Sequence, residues 1–466
     1  MYYQVIPEAK GSVISMFEYS PNSLMELTNI LQNHGANGAI IKALSKNHND
    51  KNQVYSGSDF QPLYPYFEFE FSSRAVSLSS KKGGKHAGTP ILEARFKSFF
   101  WIDKSGAEIP AKNLKMIIYP QYPEARLSGF EPVDGTMPPS LSIAYTKANP
   151  EAKRYLLIAR RGQGDALGMM IVNPSSSFAE EIAGLGSAPQ SRVWKKIQLN
   201  LDASTELKTL LSNIVSRTHD GCRLVASGEM VPFNGTQVCG FTLEKSLGII
   251  PNSDKHGDFK GIELKTHTQK KVTLFTPEPD LGLYKKDFKD FMLKYGYQDS
   301  NGAYRLTGIH KCGIRCEKSG LILSISNYDP SQKLASQADR EIIIGLYSND
   351  NFLTAGWSLP RLLNSWGAKH NEVVYVPSSK QMNPDEDKRE AGYKFSVSFK
   401  NHVLWCRITS ADKILQAIYK GTVYLDPAPK YVPHSPAETK RRSQWRVNDI
   451  ATAVEDLYEN TEVVEL

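Results

Sequence analysis

We predict an α/β protein in which a β-rich N-terminal domain, residues 1–190, precedes a C-terminal domain, residues 200–466, with a mixed central sheet. The chain of 466 residues is longer than one hydrophobic core usually organises, which favours two domains. Its apolar residues mostly alternate in the first part and follow a helical period between strand-like runs in the second. Small and polar residues at 173–177 and 184–192 provide candidate boundaries.

The N-terminal region carries strand-like alternation, which is clearest over residues 92–100. Gly, Pro and Ser-rich turns separate this stretch from other candidate strands. The other predicted strands are residues 114–119, 155–159 and 169–172. These patterns indicate a predominantly β, barrel-like region.

The C-terminal region begins with a predicted helix, because Leu207, Leu211 and Ile214 follow helical spacing. Strands and further helices then alternate. The predicted strands are residues 261–266, 272–276, 321–326, 341–347, 373–376, 393–399 and 403–408. An α/β domain follows from this order. The polar and charged stretch 379–390 is predicted to be a mobile loop that can approach DNA.

Composition sets limits on the function and the compartment. The formal charge is +7, from 56 Lys and Arg against 49 Asp and Glu, which permits a polyanionic partner without requiring one. The chain has no apolar run of about 18 residues and no secretory signal at its start, so we expect a cytoplasmic protein. Five cysteines, an odd number, are expected to be reduced thiols.

The stretch 258–265 carries the most informative chemistry, because it places Asp258, four residues, and then Glu263 and Lys265 in the pattern D-x₄-E-x-K. On a strand, Glu263 and Lys265 project from the same face. Two carboxylates and a main-chain carbonyl such as that of Leu264 are ligands that suit Mg²⁺.

Hydrolysis of a phosphodiester needs an activated water, charge neutralisation and help for the leaving oxygen, all of which a bound metal can supply. The ammonium group of Lys265 can stabilise the developing negative charge or orient the water. The same pattern is also typical of a solvent-exposed Glu-x-Lys pair on an edge strand, so the motif alone leaves both readings open.

The segments around the motif favour the catalytic interpretation over an exposed Glu-x-Lys pair. Residues 234–244 precede it, residues 271–279 follow it, and the blocks 357–376 and 443–448 lie downstream. Together with the D-x₄-E-x-K strand, these segments closely resemble the MvaI/BcnI family of restriction endonucleases, relatives of the mismatch-repair nickase MutH. The resemblance covers about residues 200–466, in order and over several motifs.

The resemblance implies a PD-(D/E)XK nuclease fold in which Asp258 and Glu263 bind metal and Lys265 completes the site. It also implies that Glu244, on a short helix predicted to open at Thr242, faces the active site. A helix-surface glutamate is the alternative for Glu244. His267 is predicted either to contact phosphate or to be a hydrogen-bonded structural imidazole.

DNA contacts are expected on the C-terminal side of the chain. Arg446 matches the family's C-terminal arginine, and arginine reads guanine in the major groove through O6 and N7. A basic run is expected to hold phosphates, although a solvated tail has the same composition; the run is Lys440, Arg441 and Arg442. Lys369 and His370 recur in the family pattern and are predicted to face DNA. Residues 426–433 depart from the basic loop of the family, so the recognition sequence cannot be carried over.

The N-terminal region is an addition to the usual family length. We predict a second DNA-binding module there, on an effector copy of the target or a modified base, from basic residues beside aromatic ones. The candidates are Lys85 in the run 81–86, Arg126, Arg154, Arg160 and Arg161. Solvated loops and a protein-binding role are the alternatives.

The sequence therefore predicts a monomeric type II restriction endonuclease that cuts double-stranded DNA with Mg²⁺, leaves 5′-phosphate ends and has a cognate DNA methyltransferase. A MutH-like nickase or a modification-dependent endonuclease is the second reading. A DNA-binding regulator with a silent nuclease fold is the third, and the intact Asp258, Glu263 and Lys265 argue against it.

Overall fold

A computed structural model describes residues 16–46, 52–64, 66–75, 90–119, 124–135, 137–161, 164–199, 203–250, 257–367 and 370–466. Within these ranges the helices are α1 Leu24–Asn33, α2 Ile143–Ala148, α3 Ser176–Gly184, α4 Ala203–Val215, α5 Val238–Ser246, α6 Gly282–Lys286, α7 Phe288–Tyr295, α8 Leu359–Trp366, α9 Glu386–Glu390, α10 Ala411–Lys420 and α11 Ile450–Leu457. None of the helices in the described ranges combines the length and the apolar character needed to cross a membrane.

The strands of the first region are β1 Glu18–Tyr19, β2 Ala36–Leu44, β3 Val54–Gly57, β4 Phe69–Ala75, β5 Pro90–Phe96, β6 Phe99–Ile102, β7 Glu108–Pro110, β8 Lys115–Tyr119, β9 Glu124–Ser128, β10 Arg154–Arg161, β11 Asp165–Val172 and β12 Lys195–Ile197. Those of the second region are β13 Thr218–Asp220, β14 Cys222–Leu224, β15 Met230–Pro232, β16 Glu263–His267, β17 Val272–Phe275, β18 Tyr297–Gln298, β19 Tyr304–Arg305, β20 Ile322–Ser326, β21 Ile343–Tyr347, β22 Leu353–Ser358, β23 Glu372–Met382, β24 Phe395–Phe399, β25 His402–Arg407, β26 Tyr424–Leu425, β27 Lys430–Tyr431, β28 Trp445–Val447 and β29 Asn460–Glu465.

The described residues of the first region form two open sheets and not the predicted barrel. One has the order β12-β2-β10-β11-β6-β7, with β1 on β11, and the other has the order β3-β9-β8-β5-β4. The predicted strand 92–100 is two strands, β5 and β6, which belong to different sheets. Alternation within each half predicted strands correctly, but it does not mark the point at which the chain leaves one sheet for the next.

The predicted boundary at 173–177 instead leads into α3, which Ser175 caps and which packs Phe178 and Ile182 into a core cluster. The first sheet also extends to Ile197, because β12 pairs with β2. The division into 1–190 and 200–466 remains a prediction, and we refer below to the N-terminal and C-terminal regions.

The C-terminal region is organised by a mixed sheet with the order β13-β24-β23-β25-β29, in which β16 lies parallel to β23. Val374 and Val376 of β23 pack into one core cluster, whereas Val373 and Tyr375 pack into another. This central strand is therefore covered on both faces, which explains its continuous apolar run. Helices α4 and α5 contribute to the first of these clusters.

Strand β23 extends well beyond the predicted 373–376. The stretch 379–390, predicted as a mobile loop, continues β23 to Met382 and then forms α9. Its polar residues pair with β24, where Lys380 lies opposite Val397. Hydrogen bonds to the backbone of β24 stabilise residues 379–382 as a strand although they have no strong apolar pattern. Their polar composition therefore led to the wrong prediction of a loop.

One large hydrophobic cluster contains residues from both regions. It includes Trp101 and Trp194 of the N-terminal region and Trp366 and Trp445 of the C-terminal region, all fully buried. Hydrogen bonds also join the regions, since the Tyr64 hydroxyl donates to the Leu363 carbonyl at 2.7 Å and accepts from the Gly367 amide at 2.8 Å. The two regions thus share buried apolar surface and buried polar contacts.

Candidate active site

A tight turn precedes β16 and sets the position of Asp258. Phe259 and Ile262 exchange two backbone hydrogen bonds, at 2.9 and 2.8 Å, across the residues Lys260 and Gly261. Both turn residues have positive φ, 47° and 92°, as in a type I′ hairpin turn. Lys260 is further held by an ion pair with Glu206 at 2.5 Å. We call residues 257–263 the site hairpin.

The site hairpin brings Asp258 to the strand that carries Glu263 and Lys265. Oδ2 of Asp258 accepts from the Leu264 amide at 2.8 Å, and Oε1 of Glu263 accepts from Nζ of Lys265 at 3.0 Å. Glu263 is only 4% exposed, whereas Lys265 is half-buried. Asp258 therefore lies against the backbone of the strand on which Glu263 and Lys265 pair, while the roles of the three side chains remain predictions.

The donor atoms at this position suit a hard divalent cation. The carboxylates of Asp258 and Glu263 and the carbonyl of Leu264 offer oxygen, which Mg²⁺ prefers over nitrogen or sulfur. Among the residues that the structure describes, no three His, Cys, Asp or Glu side chains cluster as a metal site. A cation here would therefore need water or substrate oxygens as well, as Mg²⁺ commonly does with phosphate substrates.

Two buried tyrosines lie behind Glu263. The hydroxyls of Tyr375 and Tyr458 are 3.0 Å apart, and Tyr375 lies in β23 opposite Lys265. Burial raises the pKa of both phenols, and the negative charge of Glu263 adds to the rise. Both hydroxyls therefore stay protonated and add no charge next to the carboxylates.

Leu264 and Lys265 line a cleft of about 770 Å³ between α5, β16, β17, β23 and the segment before β28. Its charged lining is mainly cationic and consists of Lys265, Lys271, Lys380, Arg441, Arg442, Glu244 and Glu278. We call it the basic cleft. A lining in which cations outnumber carboxylates favours an anionic ligand.

Glu244 lines the basic cleft together with Lys265, in agreement with its predicted position. The helix that carries it does not open at Thr242, however, because α5 begins at Val238. Thr242 is fully buried, and its hydroxyl hydrogen-bonds to the backbone of Cys222 in β14. Its polar side chain is therefore satisfied by a neighbouring strand and does not act as a helix cap.

His267 ends β16 and also lines the basic cleft. Its Nδ1 lies 2.9 Å from the Gln269 carbonyl, and because a carbonyl only accepts, Nδ1 carries the hydrogen. Burial lowers the pKa of His267, which favours the neutral ring at neutral pH. Nε2 is then an acceptor, so the ring does not donate to a phosphate from that atom.

The predicted basic run reaches the basic cleft through two of its three members. Arg441 lies over the rings of Tyr284 and Phe288, with its guanidinium carbon 5.2 and 4.5 Å from their centres, and Arg442 is exposed. Both line the cleft, and Lys440 is exposed just before them. Stacking on aromatic rings limits the freedom of Arg441, whereas Arg442 extends toward solvent.

Arg446 is half-buried in β28. Its Nε donates to the Thr273 hydroxyl and its Nη1 to Asp426, each at 2.8 Å. These contacts hold the guanidinium against β17 and use part of its donor capacity. A base contact by Arg446 would have to use the remaining donors or replace Asp426.

His370 does not have the position predicted for a DNA contact. Its side chain is 1% exposed, its ring stacks on Trp366 with centroids 3.9 Å apart, and Nδ1 is 3.2 Å from the Tyr458 hydroxyl. An imidazole is aromatic as well as basic, and here packing determines its position. Lys369 and Lys85, also predicted to contact DNA, lie outside the described residues.

The predicted DNA-contacting arginines of the N-terminal region are instead engaged by other groups of the folded chain. Arg126 pairs with Glu124 at 2.6 Å, Arg161 with Glu108 at 2.6 Å, and Arg154 donates to the carbonyls of Ser140 and Ser45, each at 2.6 Å. Arg160 donates to Asn37 at 3.0 Å. These side chains do not form the open cationic surface that the sequence suggested.

The sequence reasoning missed most of the lining residues, among them Gln237, Lys271 and Lys380. Lys380 was assigned to the predicted mobile loop. Lys380 lies four residues after Val376 in the sequence. A predicted strand that continued to Met382 would therefore have placed Lys380 and Val376 on the same face of the sheet. Gln237 immediately precedes α5, and no chemical pattern in the sequence marks it.

Comparison with known proteins identifies relatives of the C-terminal region. The profile of the MvaI/BcnI restriction endonuclease family matches residues 221–458, just over half of the chain. Among solved structures, a restriction endonuclease MvaI–cognate DNA substrate complex is 17% identical and covers 57% of this chain and 99% of its own, with a TM-score of 0.42. MvaI in the absence of DNA is 16% identical, with coverages of 57% and 100% and a TM-score of 0.32. A search of curated proteins gave no match.

Proposed function

The chain belongs to the MvaI/BcnI restriction endonuclease family, and we propose that it hydrolyses double-stranded DNA at a specific sequence with Mg²⁺ and leaves 5′-phosphate ends. The observation that carries the finer proposal is the site hairpin. It brings Asp258 within hydrogen-bonding distance of the strand on which Glu263 and Lys265 meet, beside the basic cleft.

We propose that Asp258, Glu263 and the Leu264 carbonyl hold Mg²⁺. When bound, the cation would supply a Lewis acid for the scissile phosphate and lower the pKa of a bound water. The chain's own residues then have distinct roles. Glu263 keeps Lys265 near the reacting phosphate, and the ammonium of Lys265 stabilises negative charge as the phosphorus becomes pentavalent. Glu244 is proposed as an additional acid at the wall of the cleft.

Substrate binding is proposed to involve the cations of the basic cleft. Arg441 and Arg442 are suited to phosphates, whose contacts position the duplex without reading its sequence. Arg446 remains the proposed base-reading residue, with Asp426 orienting its guanidinium before DNA binds. His267, neutral at neutral pH, is proposed as a hydrogen-bond acceptor at the floor of the cleft.

Further parts of the proposal concern the whole protein. We infer a monomeric cytoplasmic enzyme that acts with a cognate DNA methyltransferase. A second DNA site on the N-terminal region also stays a proposal. Because its described arginine candidates are engaged internally, that site would depend on the segment around Lys85.

The proposal is tested by incubating the purified full-length protein with unmodified and methylated phage DNA, with and without Mg²⁺, and sequencing the ends. We expect Mg²⁺-dependent double-strand breaks at one short sequence, with 5′-phosphate ends. Single-strand nicks, or breaks confined to methylated DNA, would replace this proposal with the nickase or the modification-dependent reading. Tight binding without cleavage under every condition would support a silent nuclease fold.

A further inference from the structure

Arg160 of the N-terminal region contacts the site hairpin. Arg160 lies on β10, and its guanidinium reaches the turn at Gly261. A Cβ added to Gly261 would lie 3.0 Å from Nη2, 3.3 Å from Cζ and 3.5 Å from Nη1 of Arg160. The guanidinium therefore packs closely over Gly261, where a larger residue would have to displace it and would also be strained by the positive φ of 92°.

Asn37 of the N-terminal region holds this guanidinium, and Glu372 of the C-terminal region places a negative charge near it. Nε of Arg160 donates to Oδ1 of Asn37 on β2 at 3.0 Å. Burial lowers the pKa of Arg160, and the negative charge of Glu372 opposes that effect, as does Tyr66. Glu372 begins β23, directly before Val373, which pairs with Glu263. Arg160 thus lies between the N-terminal sheet and the two parallel strands of the site.

Glu372 is itself firmly held, so its charge has a fixed position near Arg160. Its Oε1 accepts from the Ser204 hydroxyl at 2.9 Å, the Trp405 indole at 2.7 Å and Nε of Arg407 at 3.0 Å. The electrostatic partner of Arg160 therefore belongs to the scaffold of the C-terminal sheet.

A second cleft also places the N-terminal region beside the residues of the site. A cleft of about 670 Å³ is lined by Tyr64, Phe67, Glu68 and Phe69 on one side and reaches Glu263 and Lys265 on the other. The N-terminal region thus forms part of the wall beside the site, in addition to its contact with the turn.

The position of the turn matters because Asp258 is coupled to it. Lys260 and Gly261 reverse the chain, and the amide of Leu264 holds Asp258. A displacement of Gly261 would move Asp258 relative to Glu263. Misplacement of a reacting group by about 1 Å can lower a rate by about a hundredfold.

We propose that Arg160 is a positioning residue of the nuclease site: its guanidinium supports the turn at Gly261, so that Asp258 stays against the strand that carries Glu263 and Lys265. This inference rests on the proposed function for the metal-binding role of Asp258 and Glu263. It makes the N-terminal region part of the active-site scaffold and not only an accessory module.

The test compares Arg160→Ala with Arg161→Ala in the full-length protein. Arg161 is the next residue of β10, and it pairs with Glu108 and Asp165, away from the site hairpin. The first measurement is amide hydrogen exchange of a peptide spanning residues 257–266, which reports the opening of the hairpin without any need for nuclease activity. We expect exchange about tenfold faster in Arg160→Ala and unchanged in Arg161→Ala.

The second measurement is cleavage as a function of DNA and Mg²⁺ concentration. Arg160→Ala should lower kcat by about 10–100-fold and raise the Mg²⁺ concentration for half-maximal rate, with KM for DNA unchanged. Arg161→Ala should leave both parameters near wild type. Arg160→Lys keeps the positive charge near Glu372 but lacks the planar group, and it should give intermediate values if Arg160→Ala does not fold.

Unchanged exchange of residues 257–266 in Arg160→Ala and Arg160→Lys would overturn the positioning role, as would an equal effect of Arg161→Ala. A wild-type protein that does not cleave DNA would contradict the proposed function instead. Because hydrogen exchange is measured without cleavage, these two failures are distinguishable.

Discussion

The N-terminal and C-terminal regions differ in how their charged side chains are paired. In the N-terminal region, Arg126 and Arg161 meet carboxylates and Arg154 meets carbonyls, so their donors are engaged inside the fold. In the C-terminal region, Arg442 is exposed at the basic cleft and Lys265 reaches into it. Residue type alone therefore does not identify a DNA-binding surface; the partners within the folded chain do.

Two buried glutamates show the same contrast. Glu93 and Glu263 are each 4% exposed. Glu93 lies among three cations, Lys115 at 3.0 Å, Arg74 at 3.4 Å and Arg95 at 3.9 Å. Glu263 lies beside Lys265 at the edge of a cleft. The first arrangement is suited to stability and the second to chemistry.

The largest expected effect separates these two glutamates. Glu263→Gln should reduce cleavage at least about a thousandfold, because it removes a proposed metal ligand and the charge partner of Lys265. Glu93→Gln should leave cleavage within about twofold and lower the free energy of unfolding by about 1–3 kcal/mol, because its cations lose their partner. Cleavage rates and urea unfolding of both variants measure this. Equal loss of cleavage in both would remove the distinction.

The next effect concerns DNA affinity. Arg442→Ala, in a Glu263→Gln background that prevents cleavage, should weaken binding about tenfold and reduce the slope of log K against log salt by about 1, because one phosphate contact is lost. Arg126→Ala should change neither quantity, since Arg126 is paired with Glu124. Binding titrations at several salt concentrations measure both. If Arg126→Ala also weakened DNA binding and lowered the salt slope, the N-terminal region would contact DNA through this residue.

For stability, in contrast to DNA affinity, a substitution in the N-terminal region should have the larger effect. Arg154 is 4% exposed and donates to two carbonyls, so Arg154→Ala should lower the free energy of unfolding by about 2–3 kcal/mol. Arg442→Ala should change it by less than about 0.5 kcal/mol, because the side chain is exposed. The midpoint of urea unfolding is the observable. A stable Arg154→Ala protein would show that its carbonyl partners find other donors.

The smallest expected effect is a pH-dependent change in stability from Asp59, which lies where the two regions meet. Burial and the charge of Asp412 raise the pKa of Asp59 to about 6. Between about pH 4, the pKa in the unfolded chain, and pH 6, the folded protein retains a proton that the unfolded chain has released, so stability falls as pH rises. Asp59→Asn should therefore stabilise the protein by on the order of 1–2 kcal/mol at pH 8 and have little effect near pH 4.

Thermal melting at the two pH values checks this, with Asp134→Asn as an exposed control. Equal shifts at pH 4 and pH 8 would show that Asp59 acts through packing and not through its charge.

The sequence predicted the local parts of the site well and the long-range parts poorly. The period-two spacing of Glu263 and Lys265 determines that they share a face, and the structure has them 3.0 Å apart. By contrast, the approach of Arg160 to Gly261 depends on how two sheets pack, which no local pattern encodes. The burial of His370 and Arg154 was not predicted for a related reason, because burial and internal partners are properties of the complete fold.

The predicted bounds of secondary-structure elements were wrong where polar residues form strands. Residues 379–382 were predicted as loop because their composition is polar, but they pair with β24. Helix α10 was not predicted, although Ile414, Leu415 and Ile418 are buried on one face of it. Pairing and packing partners supply the free energy in both segments, and these partners are distant in the chain.

The parallel register of β16 and β23 also has a consequence for how the protein folds. Glu263 lies opposite Val373, β23 in turn pairs with β25, and β25 pairs with β29 near residue 465. Closing such long loops carries an entropic cost before the pairing gains anything, so the folding transition state is reached slowly. Strand β16, which carries Glu263 and Lys265, is thus expected to be ordered late, after the distant strands of its sheet have been synthesised.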